Sequence, residues 1–314
     1  MSINATSHRC CRVSPHRPGS GARLGRAGVI LAMLIAALLA AQTPPAAQWD
    51  TYQEASIGLR ARDNATLERT DTEKVAATVQ EFRYVIDKFR ELDRHWSLTG
   101  GLDVDHDQFS GVERLSNTQI GVHLAARRKL GLGARAPWWR VRVGAMRFAF
   151  VEDVRDRTLT EAAFDFGHRP STRFSWRARA AYEQARGTHS AVFDTVARSA
   201  QLDLNWQLNR TVTLRAGGLW RNGDITPTIS GGPTAIPDWA WVGGSARTAP
   251  FARKAVYRVG DATTRGGHLG LAFAAGHNSA IHLTFERHTT EVTPLAVPWS
   301  YANTNIGATY VVSF

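Results

Sequence analysis

The side chains that could do chemistry in this chain recur two residues apart. Arg140 with Arg142, Arg177 with Arg179, and Asp103 with Asp105 each flank a single residue. On a strand, residues i and i+2 share a face, so such pairs project guanidinium or carboxylate groups side by side. An arginine pair offers anion binding or bidentate carboxylate pairing, and a carboxylate pair offers cation binding or acid–base work. Three other groups look sharper. DVDHD (103–107) holds three carboxylates and a histidine, His282, Glu286 and His288 share one parity, and THSA (188–191) sets His189 beside Ser190. At about 3.3 Å per residue, His282 and Glu286 stand about 13 Å apart and cannot share a metal. Glu286 and His288 would need a ligand from a neighbouring strand. His189 and Ser190 are adjacent, so on a strand they point to opposite faces and form no nucleophile–base pair. The sequence has no G-x-S-x-G, H-E-x-x-H, P-loop or dinucleotide glycine pattern. No catalytic residue, metal or cofactor is therefore expected.

The elements that must position these groups are strands, because the recurring period is two. AQLDLNWQL alternates Ala200, Leu202, Leu204, Trp206 and Leu208 with polar residues, and FSWRARAAYE alternates Phe174, Trp176, Ala178, Ala180 and Tyr182 with Arg177 and Arg179. Twelve strands are expected, near residues 53–62, 75–90, 96–106, 117–129, 138–150, 158–168, 172–185, 197–208, 211–221, 262–275, 279–290 and 301–314. The count becomes ten if the weakly marked stretches 75–95 and 250–265 are read otherwise. Short turns such as 92–95, 134–137, 169–172, 208–211 and 276–279 alternate with longer polar connections, the longest about 222–263. That asymmetry is expected of an all-β, antiparallel transmembrane β-barrel.

Ahead of the strands, residues 1–41 carry Arg9, Arg12, Arg17, Arg23 and Arg26, no acid, and then the apolar run Ala27 to Ala41. That run is too short for a membrane helix of about 20 residues. The pattern is that of a secretory signal peptide, cleaved between Ala41 and Ala47, with an uncleaved anchor as the alternative. Residues 48–314 would form the single barrel domain. Removing the segment leaves 33 of 38 basic residues against 27 acidic, a net charge near +6 instead of +11. The high charge is then a weak argument for nucleic acid, and none is expected as a partner. Cys10 and Cys11 leave with the segment, so the barrel relies on no disulfide.

The final strand, NIGATYVVSF, places Ile306, Ala308, Tyr310, Val312 and Phe314 on one face. With Phe314 last, Val312 two before it and Tyr310 four before it, this ending resembles the terminal assembly signal of Gram-negative outer-membrane β-barrels. The resemblance is to a class and spans about residue 50 to the end. It implies export to the outer membrane, assembly by the barrel assembly machinery through the last strand, and contact with membrane lipid and lipopolysaccharide. An even strand count puts both termini on the periplasmic side, and Trp96, Trp138, Trp139, Trp176, Trp206, Tyr310 and Phe314 fall there as an expected aromatic girdle. A secreted β-sandwich is the competing fold. Its solvated face would be polar with few small residues, whereas here charge is mixed with glycine and alanine. DVDHD also resembles the paired aspartates of outer-membrane aspartyl proteases, but no Asp-x-His, which such enzymes need from another strand, lies near the same rim. A solvated acidic rim at the outer end of a strand is the expectation for it.

The face opposite the apolar rows would line the lumen. Its expected charges are Arg60, Arg83, Arg140, Arg142, Arg177, Arg179, Arg215 and Arg221 with Glu81, Asp87, Asp103, Asp105, Glu161, Asp165, Glu183, Asp203 and Glu286. The signs nearly balance, which permits an arginine–carboxylate brace or a basic ladder facing acids across the bore. In the long connection, Trp239, Trp241, Arg253 and Lys254 combine aromatics with cations suited to a ligand or a plug. Twelve strands lie between barrels filled by side chains and open pores. Barrel size therefore favours a narrow channel for small polar or anionic solutes, gated by the 222–263 loop. A non-conducting structural or adhesion barrel is the alternative, and an outer-membrane hydrolase a distant third.

Overall fold

The computed structural model describes residues 49–67, 74–230, 254–256, 258–292 and 299–314. The expected export segment lies outside them. Twelve long strands run Asp50–Arg62 (β1), Ala77–Glu91 (β2), Trp96–Ser110 (β3), Asn117–Lys129 (β4), Trp138–Phe150 (β5), Arg157–His168 (β6), Phe174–Gly187 (β7), Thr195–Gln207 (β8), Val212–Ile225 (β9), Val259–Ala274 (β12), Ser279–Val292 (β13) and Trp299–Ser313 (β14). Thr228–Ser230 (β10) and Lys254–Val256 (β11) form a separate two-stranded ribbon. Each long strand pairs antiparallel with its sequence neighbour, and β14 returns to β1, so the sheet is a closed barrel. Closure removes every free edge of the sheet. It runs from Glu54 opposite Ser313 to Arg62 opposite Asn305, and the Phe314 amide donates to the Gln53 carbonyl at 2.9 Å.

The alternation seen in the sequence sorts side chains to two faces. Leu124 (65% exposed) and Leu269 (57%) stand on the outer face, as do Ile57, Ile120, Ile306 and Phe285. An exposed apolar belt of this kind is expected of a wall that faces lipid. At the short-turn end the outer face carries interlocked rings. Trp96 meets Trp139 edge-on at 5.2 Å, Trp139 stacks on Phe164 at 6.3 Å, and Phe166 lies 5.6 Å from Trp176. Trp138 departs from the girdle expectation. It pairs with Gly167 and shares the inward face with Arg140, because adjacent strand residues cannot both point out. The connection expected at 134–137 is also longer, spanning 130–137 between β4 and β5.

The tight turn between β2 and β3 is held by Asp93, whose carboxylate accepts from the His95 amide at 2.7 Å and the Trp96 amide at 2.8 Å. These two backbone bonds hold the Asp93 carboxyl below its ordinary value. A depressed folded-state pKa adds stability above the unfolded value of about 3.9 and loses it as pH falls through the folded one. The stability gap between the native barrel and Asp93→Ala, measured by urea unfolding, is therefore expected to close as pH drops below about 4.

The opposite end is packed. Ala77, Val79, Phe109 and Val112 form one buried cluster, and Ile225, Val259, Ala262, Val292 and Tyr301 form another. A third joins Val192 and Phe193, from a single 3-10 turn, to Val256 of β11. Arg258 donates to the Ala191 and Asp194 carbonyls. The return foot of the longest connection is thereby fastened to the β7–β8 connection.

Candidate functional site

The inward side chains of the twelve strands form one charged wall. Directly opposed residues share a face, so the pairs Arg83–Asp105, Arg140–Asp165 and Arg177–Asp203 all point into the barrel. Arg140 Nε lies 3.0 Å from Asp165 Oδ2, and Arg177 reaches Asp203 Oδ2 through Nη2 at 2.7 Å and Nε at 3.1 Å. Arg60 Nε contacts Glu81 at 3.0 Å, and its Nη1 stands 3.8 Å from Glu286. Arg179 donates to Glu161, and Arg221 Nε sits 3.8 Å from Glu183. Among the inward arginines read from the sequence, Arg215 makes no ion pair among the described residues; its polar contact is His282 Nδ1 at 3.4 Å.

Among the described carboxylates, Asp103 has the most basic partners. Its side chain is 4% exposed and touches Arg83 at 3.0 Å, His123 Nδ1 at 2.9 Å and Arg142 Nη2 at 3.6 Å. His123 Nε2 faces Asp87 Oδ1 at 3.2 Å. An ionised carboxylate only accepts, so the imidazole fills both contacts when both ring nitrogens carry a proton. This corrects the reading of DVDHD as a solvated rim. β3 continues to Ser110, so Asp103 sits in mid-wall and is buried under its partners. His123 was not among the sequence candidates, although its parity with Gln119 and Gly121 on β4 places it inward. Glu286 and His288 stand 3.9 Å apart, and no group of three metal-ligating side chains occurs among the described residues.

The charges are segregated across the bore. On β1–β3 the inward carboxylates Glu54, Glu81, Asp87, Asp103, Asp105 and Asp107 outnumber Arg60, Arg62 and Arg83. On β4–β9 the inward arginines Arg127, Arg140, Arg142, Arg157, Arg177, Arg179, Arg215 and Arg221 outnumber Glu161, Asp165, Glu183 and Asp203. The wall is thus both locally paired and transversely polar.

Inward glycines have a specific task. Gly101, Gly167, Gly217 and Gly266 lie directly opposite His123, Trp138, His268 and His288. A methyl group at any of the four would overlap that ring. The missing side chain lets each ring lie along the wall instead of projecting into the bore. Gly217→Val is expected to push His268 inward, cost about 1–3 kcal/mol of overpacking, and lower any conductance of the folded barrel in a planar bilayer.

Among the described residues, cavities lie at three successive levels. One of about 360 Å³ at the packed end is bordered by Phe148, Arg157, Glu183 and Arg221. One of about 220 Å³ in mid-wall is bordered by Arg83, Asp103, His123, Arg142 and Arg179. One of about 580 Å³ at the short-turn end is bordered by Arg127, Trp138, Arg177, Arg215 and His268. Trp239, Trp241 and Arg253 lie outside the described residues, and of Lys254 only the backbone, in β11, is described. Tyr310 and Phe314 are exposed on the outer face of β14, and Val312 pairs with Ala55 of β1.

The architecture is that of an outer-membrane β-barrel with twelve strands. No family model matches the sequence, and no curated protein matches it. A solved outer-membrane channel from Pseudomonas putida F1 aligns over 87% of this chain and 100% of its own, at 12% identity and a TM-score of 0.53. The CymD monoaromatic hydrocarbon channel covers 85% of this chain and 89% of its own at 10% identity and TM-score 0.43. The NanC porin covers 82% and 98% at 9% identity and TM-score 0.40. At such identities the first likeness is one of fold, and the other two are too distant to carry an argument.

Proposed function

We propose that this barrel is an outer-membrane channel for small polar or anionic solutes. The observation that carries the reading is the transverse separation of charge, with acids dominating β1–β3 and arginines dominating β4–β9, around cavities bordered by charged side chains. A brace alone needs pairing, not segregation. A wall with excess arginine offers successive weak sites for an anion, which lets it enter and leave. Glycine-seated rings keep the bore clear, as a route for solutes requires.

The outer surface supports the membrane placement. Beyond the apolar belt, on the side of the long connections, Arg147, Arg186, Arg198, Arg265 and Arg287 are exposed on the outer face. Such a collar suits lipid or lipopolysaccharide phosphates. The outward Tyr310 of β14, with Phe314 just beyond the strand, suits recognition by the assembly machinery, and residues 1–41 suit export, with cleavage between 41 and 47.

The 222–263 loop is the proposed constriction. Its described feet support this: β9 continues to Ile225, and Val256 and Arg258 fasten the return to Val192, Phe193 and Asp194. The register of β12 on β9 shifts between Val259 and Ala262, where Asp261 adopts φ of 55°. Removing residues 231–253 is expected to raise single-channel conductance of a barrel that still migrates as a folded, heat-modifiable species. Unchanged conductance would count against the constriction while leaving the channel itself standing.

A further inference from the structure

We infer that Arg127 and Arg215 form a carboxylate-binding subsite at the short-turn mouth, and that its ligand is a small dicarboxylate held with one carboxylate at each guanidinium. The inference rests on the channel reading for the ligand's route. The site itself rests on geometry.

The cavity of about 580 Å³ is bordered by Arg127, Arg169, Arg177 and Arg215 against one carboxylate, Asp203. Asp203 is already committed, accepting from Arg177 at 2.7 Å and Gln201 at 2.8 Å. Arg127 and Arg215 make no ion pair among the described residues, and Arg127 Nε is buried without a hydrogen-bond partner. In a wall where Arg140 and Arg177 each face an opposed carboxylate, Arg127 and Arg215 border this cavity without one. A buried donor left unpaired in a native fold asks for an explanation, and a ligand carboxylate supplies two acceptors in the geometry of the guanidinium fork.

Two features define the ligand. β4 and β9 are five steps apart in a ring of twelve, so the two arginines reach in from nearly opposite walls. Strands about 4.8 Å apart and tilted by about 40° give a barrel about 24 Å across. Both side chains border the one cavity, so a short dicarboxylate inside it can meet both guanidiniums. Arg127 is also pre-positioned. Its guanidinium lies 4.4 Å over the Trp138 ring, and that ring lies over Gly167. Trp138 is thus a positioning residue that acts through Arg127.

The test is isothermal titration calorimetry of the refolded full barrel in neutral detergent, with glutarate and adipate as probes and butyrate and glutaramide as comparisons. A dicarboxylate is expected to bind, and the monoacid and the diamide to bind at least tenfold more weakly. Arg127→Lys and Arg215→Lys keep charge and fold but lose the planar fork, so each is expected to weaken glutarate binding severalfold, and each alanine variant at least tenfold. Gly167→Ala is expected to weaken binding by displacing Trp138, in a barrel that remains heat-modifiable. Equal affinity for butyrate and glutarate, or glutarate binding indifferent to both arginines, would overturn the inference. Conductance without glutarate binding would remove the subsite and leave the channel. Binding to a non-conducting barrel would remove the channel and leave the subsite.

Discussion

Replacing Asp103 with alanine is expected to lower the unfolding free energy of the barrel by about 3 kcal/mol or more. Asp103 is the one buried carboxylate that Arg83, His123 and Arg142 all contact. Breaking a buried ion pair by removing one partner typically costs about 3–5 kcal/mol, because a charge is left without compensation. Here the cost falls toward the low end. Arg83 is half exposed and can turn to water, and His123 keeps Asp87. Urea unfolding, followed by loss of the fast-migrating folded band, measures the change. A shift of under about 1 kcal/mol, the worth of an exposed pair, would show that the node is not a structural centre.

The second large effect concerns selectivity. Arg142 and Arg179 border the mid-wall cavity on the arginine-rich side of the bore. A unit charge about 4 Å away in water is worth about 1 kcal/mol, or roughly a fivefold change in relative occupancy. Substituting both by alanine is expected to shift the reversal potential toward cations, with the anion-to-cation permeability ratio falling by about fivefold or more. The shift should be larger at low salt, since the screening length is about 10 Å at 0.1 M. An unchanged reversal potential would mean that these arginines only brace the wall.

Much of this arrangement was legible because strand parity is strict. Once Trp176, Ala178 and Ala180 are read as an outer row, Arg177 and Arg179 must face in, and the structure pairs them with Asp203 and Glu161. Parity was also where reading failed. Trp138 and Trp139 are adjacent, so assigning both to the girdle broke the rule that placed the charges. His123 was overlooked because the inward row of β4 reads as Gln119, Gly121, His123 and Ala125, too mild in charge to attract notice. Ending β3 at 106, four residues short of Ser110, puts Asp103 at a rim. Polar outward residues, His106 and Gln108, hide the continuation of that strand. The ribbon of β10 and β11 has three residues per strand, too few for alternation to register.

Charge pairing across strands cannot be read from one sequence alone. Arg177 meets Asp203 because the register of β7 on β8 sets Ser175 against Asn205 and Ala178 against Leu202. A slip of one residue would turn Arg177 and Arg179 toward the lipid face. The outward apolar row forbids that slip, so the surface pattern fixes the interior network.

The most direct test of the channel account is the current carried by the refolded barrel in a planar bilayer, after heat-modifiable migration shows that it is folded. Stable conductance steps with a reversal potential on the anion side are the expected result. A folded barrel that stays silent, both intact and without residues 231–253, would contradict the account and leave the charged interior as a brace.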